Sequence, residues 1–395
     1  MLKRIMKSTC RRWRLGVLAA LISLPAVAQR DSGYDYSVVK QVRIDLRDLG
    51  CPPVDVIPPD ESAIRALAVA PDGKLYGATS GKRSHLFLLD PVHGYVLPLG
   101  FLEGVSAVDG SLVISRTGDV YVGAAPGGQL LKYEQPRSEP GSVPQTLKPA
   151  AVTTLGAPVS GDSISALAID RGRNTLYGLT RPNGHFFSYA IDGGRFAVHG
   201  KVAENEMPGE KFEKEKNIGR AIAIDAEGNA YTTGEGGRLF QFSASSGTLR
   251  RLDITVPGVP GREPYNRVDA WAVGGDGVLL YGGTSDGYLF RLDPRELRVR
   301  NLGKPLNRYR LRALVLARNG KLYGVGGDED EMAQLFSYDP AGGTYQLLGM
   351  IDVNRRPYYS WQAYVIDCAA LGTDGTVYFG QSERKSKLYL YYPEP

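Results

Sequence analysis

The chain has 395 residues, 43% of them hydrophobic, with 47 basic and 42 acidic side chains. Six of the basic residues fall within the first 28, which leaves 41 against 42 in the remainder, so charge gives no support to a nucleic-acid partner. Three cysteines and four histidines stand in no zinc-ligand spacing, and dinucleotide and phosphate-loop signals are absent.

From the N-terminus, Lys3, Arg4, Lys7, Arg11, Arg12 and Arg14 precede an apolar run from Leu15 to Leu24. Ala26-Val-Ala28 then fits a signal-peptidase site before Gln29. Residues 1–28 read as a secretory signal and 29–395 as a mature, secreted or periplasmic chain. Arg11-Arg12 matches a twin-arginine signal poorly, with Cys10 and Trp13 beside it. The apolar run is too short for a stable bilayer anchor, and no later segment approaches membrane length.

The next run, Val42-Arg-Ile-Asp-Leu-Arg-Asp-Leu-Gly50, ends like an outer strand of the repeat that follows it. That repeat begins with Ala66-Leu-Ala-Val-Ala-Pro-Asp-Gly-Lys-Leu-Tyr-Gly77, continues as Leu86-Phe-Leu-Leu-Asp-Pro91 and closes on Leu99-Gly100. It returns as Ala166-Leu-Ala-Ile to Leu176-Tyr-Gly178, and as Ala313-Leu-Val-Leu to Leu322-Tyr-Gly324 with Leu335-Phe-Ser-Tyr-Asp-Pro340. Each copy holds four short apolar runs separated by Gly, Asp, Asn or Pro turns, which predicts four antiparallel strands. Aligned on the tyrosine of the second strand, seven copies fall at Tyr76, Tyr121, Tyr177, Tyr231, Tyr281, Tyr323 and Tyr378. A four-stranded unit recurring at about 40–50 residues marks an all-β, seven-bladed β-propeller.

The last copy stops after its third strand, Leu388-Tyr-Leu-Tyr-Tyr-Pro393. Val42 to Gly50 is therefore expected to supply the fourth strand of that blade and close the ring, leaving no unpaired edge. Cys51 and Cys368 lie in the same blade, and an exported protein permits a bridge between them. Inner and outer strands are three spacings apart, about 14 Å, which opposes it unless the chain after Gly50 folds back inward. The tyrosines of the Tyr-Gly pairs and the phenylalanines of the Leu-Phe pairs read as core.

One face of such a ring carries the links between blades and the turns joining second to third strands. The long links are Ala203 to Asn217, Thr255 to Arg267, with Tyr265 and Arg267, and Ile351 to Gln362. The last runs into Asn354-Arg-Arg-Pro-Tyr-Tyr-Ser-Trp-Gln-Ala-Tyr364, unusually rich in arginine and aromatic residues for a connector. Register adds a second signal. The position before the first small residue of each inner strand holds Arg65, Gly110, Ser165, Arg220, Asp269, Arg312 and Asp367, and seven equivalent positions converge on the axis. Three arginines and two aspartates there either neutralise one another or hold an anion. The residues opening the third strands, among them His85 and His185, are expected close to the same mouth.

Other patterns fail. Gly283-Thr-Ser-Asp-Gly287 lies between two strands, not at the strand-to-helix turn that a nucleophile elbow needs. Asp328-Glu-Asp-Glu331 lacks the spacing of a calcium loop. Ester or lactone hydrolysis at an axial calcium needs more carboxylates than Asp269 and Asp367.

Arginine forks, tyrosines and a tryptophan around a depression suit planar carboxylates and the apolar faces of sugars. The chain resembles, in architecture, compartment and residue types, the seven-bladed propeller polysaccharide lyases that act on uronic-acid polymers. The resemblance implies β-elimination on an acidic polysaccharide or oligosaccharide, by a monomer with no metal or cofactor. In that reading Arg65, Arg220, Arg312, Arg355, Arg356, Tyr358, Trp361, Tyr364, Tyr265 and Arg267 bind the substrate. His85, His185 or Tyr359 serves as base or acid. The rival reading is a non-catalytic propeller that binds a protein or glycan through the same face, since fold alone does not fix function.

Overall fold

The computed structural model describes residues 44–45, 57–134, 148–203, 218–274, 277–307, 309–355 and 359–394. Seven four-stranded antiparallel sheets take in every strand among them except the two of one hairpin, and the only helical pieces among them are short 3-10 turns such as Pro59–Glu61 and Glu263–Tyr265. Six blades use contiguous sequence. Blade 1, for example, runs outward through Ala63–Val69, Leu75–Ser80, Ser84–Asp90 and Tyr95–Leu102. The other five start at Leu112, Ser163, Ala223, Val268 and Leu311.

Blade 7 contains Ile366–Leu371, Val377–Gln381 and Lys387–Tyr391, and its outermost strand comes from the N-terminal side. Ile44–Asp45 pairs antiparallel with Lys387–Tyr391, Ile44 opposite Leu388 and Asp45 opposite Lys387. The ring is closed as the incomplete last copy required. The rest of the run Val42 to Gly50 lies outside the described residues. So does Cys51, while Cys368 is a free thiol whose Sγ donates to the Ile64 carbonyl at 3.6 Å.

The repeated phrase has a physical basis in how blades stack. Among the described residues there are seven hydrophobic clusters, one at each blade-to-blade interface. The repeat tyrosines pack against the following blade: Tyr76 with Leu112 and Val120, Tyr231 with Leu280 and Phe290, Tyr378 with Ile64 and Phe87. The phenylalanines pack against the preceding one. Successive residues of a strand point to opposite faces, so the glycine after each tyrosine shares a face with the phenylalanine paired to it. Gly77 lies opposite Phe87, Gly178 opposite Phe187, Gly282 opposite Phe290 and Gly324 opposite Phe336. A Cβ on Gly77 or Gly178 would stand 2.1 or 2.2 Å from the ring of its partner. The Tyr-Gly pair thus buries one aromatic forward and leaves room for another to lie across the backbone.

Candidate functional site

In five blades the innermost strand carries one residue too many for its neighbour. Ile64 pairs with Thr79 and Ala66 with Ala78, leaving Arg65 as the extra residue, and Ser165, Asp269, Arg312 and Asp367 stand alike. A bulge interrupts the ladder and re-aims its side chain. Gly110 and Arg220 hold the equivalent places ahead of the shorter inner strands Leu112–Ile114 and Ala223–Ile224. Main-chain bonds tie these two into the ring, from Gly110 N to Arg65 O at 3.1 Å and from Arg220 N to Val268 O at 3.0 Å.

Asp367, 3% exposed, is the hub of the ring. Arg312 Nη1 donates to its Oδ1 at 2.5 Å, and Arg65 Nε and Arg220 Nη2 stand 3.7 and 3.8 Å from its Oδ2. Arg65 also pairs with Asp109 at 2.9 Å and donates to Ser382 Oγ at 3.1 Å. Arg267 Nε donates to Asp269 at 2.9 Å. Burial pushes the Asp367 carboxyl up, but Arg220, Arg312 and Arg65 outweigh it and hold the group well below the carboxylate range. Asp269 is depressed in the same way, burial being overcome by Arg267, Arg220 and Arg312.

Arg220 differs from the other arginines of the lattice. Among the described residues its guanidinium makes no hydrogen bond, its ion pair to Asp367 is long, and the side chain keeps 17% exposure. Burial disfavours its charge, yet Asp367, Asp269 and Asp109 hold the cation. Arg312 Nε and Asp269 Oδ2 are buried and have no partner either.

A cavity of about 870 Å³ opens above the lattice, within the range of small-ligand sites. Arg65, Arg220, Arg312, Asp109 and Asp367 line it together with Ser80, Ser106, Ser382, Tyr364, Arg181 and Arg384. A smaller space of about 230 Å³ shares Arg65, Arg220, Arg312 and Asp367 and adds Leu67, Leu112, Leu167, Ile222, Trp271, Leu314 and Ala369. Each of these seven lies two residues beyond a bulge-type position. The channel therefore has a charged tier at the loop face and an apolar tier about 7 Å further along the strands.

Of the residues expected to meet, Arg65, Arg220, Arg312 and Tyr364 line the one cavity. His85 and His185 do not. His85 is 2% exposed, with Nε2 2.7 Å from the buried Glu61, and burial lowers its pKa despite that partner. His185 Nδ1 lies 2.9 Å from the buried Asp162, which Thr180 and Asn183 also contact. The physical reason is distance: third strands lie two spacings, about 10 Å, outside the innermost ones. Tyr265 belongs to the turn Glu263–Tyr265 and accepts Ser285 Oγ through its carbonyl at 2.9 Å, while Arg267 is committed to Asp269.

The segment from Ile351 to Gln362, expected as a loop, contains a hairpin. Asp352–Arg355 pairs with Tyr359–Gln362, Arg355 opposite Tyr359 and Val353 opposite Trp361, and Arg356 and Tyr358 lie outside the described residues. Its base is fixed to blade 6 by Ala333 N to Ala363 O at 2.8 Å and Ile351 N to Ala333 O at 2.9 Å. Sequence reasoning missed Asp109, Arg181, Ser382 and Arg384. Asp109 had a readable signal, because Gly110 leaves its sector of the ring without a side chain.

Among the described residues no group of three or more acidic, His or Cys side chains could hold a metal ion, and no helix is long and apolar enough to cross a membrane. No family model matches the chain, and no curated protein sequence does. Solved structures match its shape. The extracellular domain of a hybrid two-component system from B. thetaiotaomicron superposes with a TM-score of 0.59 at 16% identity over 90% of this chain; the match spans 40% of that longer chain. The WD40 β-propeller domain of Doa1 gives 0.57 at 12% identity, covering 84% of this chain and 94% of that one. At such identities the likeness speaks for the fold alone. By its sheet topology and by these matches, the chain is a seven-bladed β-propeller.

Proposed function

We propose that the chain is an exported, non-enzymatic binding propeller whose central cavity holds the carboxylate of a uronic-acid-containing carbohydrate. The observation that carries this reading is Arg220, a cation that lines the cavity with its hydrogen-bond donors unused. A guanidinium fork suits a carboxylate bidentately, and an unmatched one gains most from it. With Arg220 counted, the lining sets five arginines, the others being Arg65, Arg181, Arg312 and Arg384, against the five acids Asp60, Asp109, Glu329, Asp367 and Glu383. Charges of both signs with three serine hydroxyls suit the hydroxyls of a sugar that carries one acid group.

Binding is favoured over elimination because both candidate histidines are held by buried carboxylates and neither lines the cavity. Export rests on residues 1–28, and one similar structure is itself an extracellular domain. N-terminal sequencing of the secreted protein, with Gln29 expected first, tests that part.

The binding test is calorimetry with galacturonate, glucuronate and their short oligomers. The wild-type protein should bind at least one, and Arg220→Gln should weaken it at least about tenfold. A folded protein that binds none of them overturns the reading. Unsaturated product from uronate polymers, followed by absorbance, overturns its non-enzymatic part.

A further inference from the structure

Among the described residues the outermost strands concentrate positive charge on blades 3, 4 and 5, while that of blade 7 shows only the acid Asp45. In blades 3, 4 and 5 they are Arg195–Lys201, Thr248–Thr255 and Arg298–Gly303, which together hold six Arg or Lys residues and one acid, Asp253. In blades 1, 2 and 6 they hold no charge at all. The three basic strands touch in sequence, blade 3 with blade 4 and blade 4 with blade 5. Asp253 is already taken by Arg238 at 2.9 Å and Arg298 by Glu296 at 2.8 Å, which leaves the other five basic residues of these strands without an ion pair among the described residues.

Blade 5 concentrates the effect. Arg291 on its third strand stands directly opposite Arg300 on the outer one. Cross-strand partners share a face, and like charges so placed are destabilising. In the corresponding row of blade 4, Gln241 lies opposite Arg250 and accepts its Nε and Nη2 at 2.8 and 2.5 Å. Blade 5 puts Arg291 where blade 4 has that acceptor. Neither Arg291 nor Arg300 has an ion pair among the described residues.

We infer that the outer wall of blades 3 to 5 is a second binding surface, separate from the central cavity, whose partner is an acidic polysaccharide chain. Paired guanidiniums lacking counter-charge call for an oxyanion that bridges them, and the further basic residues on the outer strands of blades 3 and 4 extend that one site into a surface that fits a longer polyanion. A membrane fits less well. A surface that docks on lipid also presents apolar side chains, and Val198 is the one large exposed hydrophobic residue on these strands. The wall would hold the polymer while the cavity reads a single acidic unit of it.

The test uses the full-length protein, sodium polygalacturonate in native affinity electrophoresis, and vesicles of equimolar phosphatidylcholine and phosphatidylglycerol in sedimentation. Polygalacturonate should retard the wild-type protein, less so as salt rises. The triple variant Arg251→Gln, Arg291→Gln, Arg300→Gln should bind it about tenfold more weakly, and the matching triple lysine variant should recover most of the loss. Monogalacturonate binding should not change in either. Retardation of the glutamine triple equal to wild type, or lost only in Arg220→Gln, overturns the inference, as does sedimentation with vesicles without retardation by polygalacturonate. Failure of the cavity reading would show separately, as absent monosaccharide binding with wall-dependent retardation intact.

Discussion

Arg312 and Asp367 lie 55 residues apart in the chain and meet across the channel mouth, Nη1 2.5 Å from Oδ1. Both are the extra residue of a bulge, in neighbouring blades, so the contact joins two copies of one repeat at the same position. The link is both a lock between blades 6 and 7 and part of the floor of the cavity. Asp367 also faces Arg65 and Arg220, so one carboxylate restrains three cations.

Removing that carboxylate should be costly. Asp367→Asn leaves part-buried guanidiniums without their shared counter-charge, and a loss towards the low end of about 3–5 kcal/mol is expected in urea unfolding near neutral pH. The difference should shrink in acid. The folded-state pKa of Asp367 is depressed, so its contribution is complete above the unfolded value of about 3.9 and fades as the pH falls below it. Parallel wild-type and variant curves down to about pH 3 would contradict this.

His85 acts in a different pH window. Burial lowers its pKa from 6.5, so the unfolded chain takes up a proton that the fold resists. Its stability contribution is complete above about pH 6.5 and declines as the pH drops from there towards the folded value. His85→Gln should remove that part of the pH dependence between about pH 7.5 and about pH 5.5. Uronate binding should survive in His85→Gln and in His185→Gln, because neither side chain lines the cavity. Loss of binding in a folded variant would return the histidines to the site.

The Tyr-Gly pair makes a steric prediction. Gly178→Ala places a methyl 2.2 Å from Phe187 Cζ and 3.0 Å from Leu167 Cδ2, both in the core between blades 2 and 3. Overpacking of this kind costs about 1–3 kcal/mol. Adding Phe187→Leu should restore part of the loss, and a double-mutant cycle by chemical denaturation measures the coupling. Strict additivity of the two changes would show that the glycine is not there to admit the ring.

Closure depends on the ladder between Ile44–Asp45 and Lys387–Tyr391. Deleting residues 29–50 should lower the thermal midpoint of the whole protein and promote aggregation, since blade 7 would present an unpaired edge. Ile44→Pro should act in the same direction but more weakly, by removing one donor. An unchanged midpoint after the deletion would mean that the pairing carries no stability.

Blade number, strand order and ring closure were legible in the sequence because each is a consequence of local periodicity. A strand alternates faces every residue, and a Tyr-Gly pair opposite a Leu-Phe pair has few ways to be buried. Counting copies therefore counts blades, and an incomplete last copy names the missing strand. Register carried this as far as the charged tier, since residues at equivalent positions must reach the same axis.

What register does not encode is which polar group satisfies which. Arg65, Arg220 and Arg312 were equivalent by position, yet Arg65 found Asp109 and Ser382, Arg312 found Asp367, and Arg220 was left with unused donors. His85 and His185 looked available until Glu61 and Asp162, from the segments entering blades 1 and 3, closed on them. Such partners come from loops, which carry no repeat, and a buried polar atom takes whichever group three dimensions bring within about 3 Å. The repeat determined where the side chains stand, and the packing of the loops around them decided which remain free to bind.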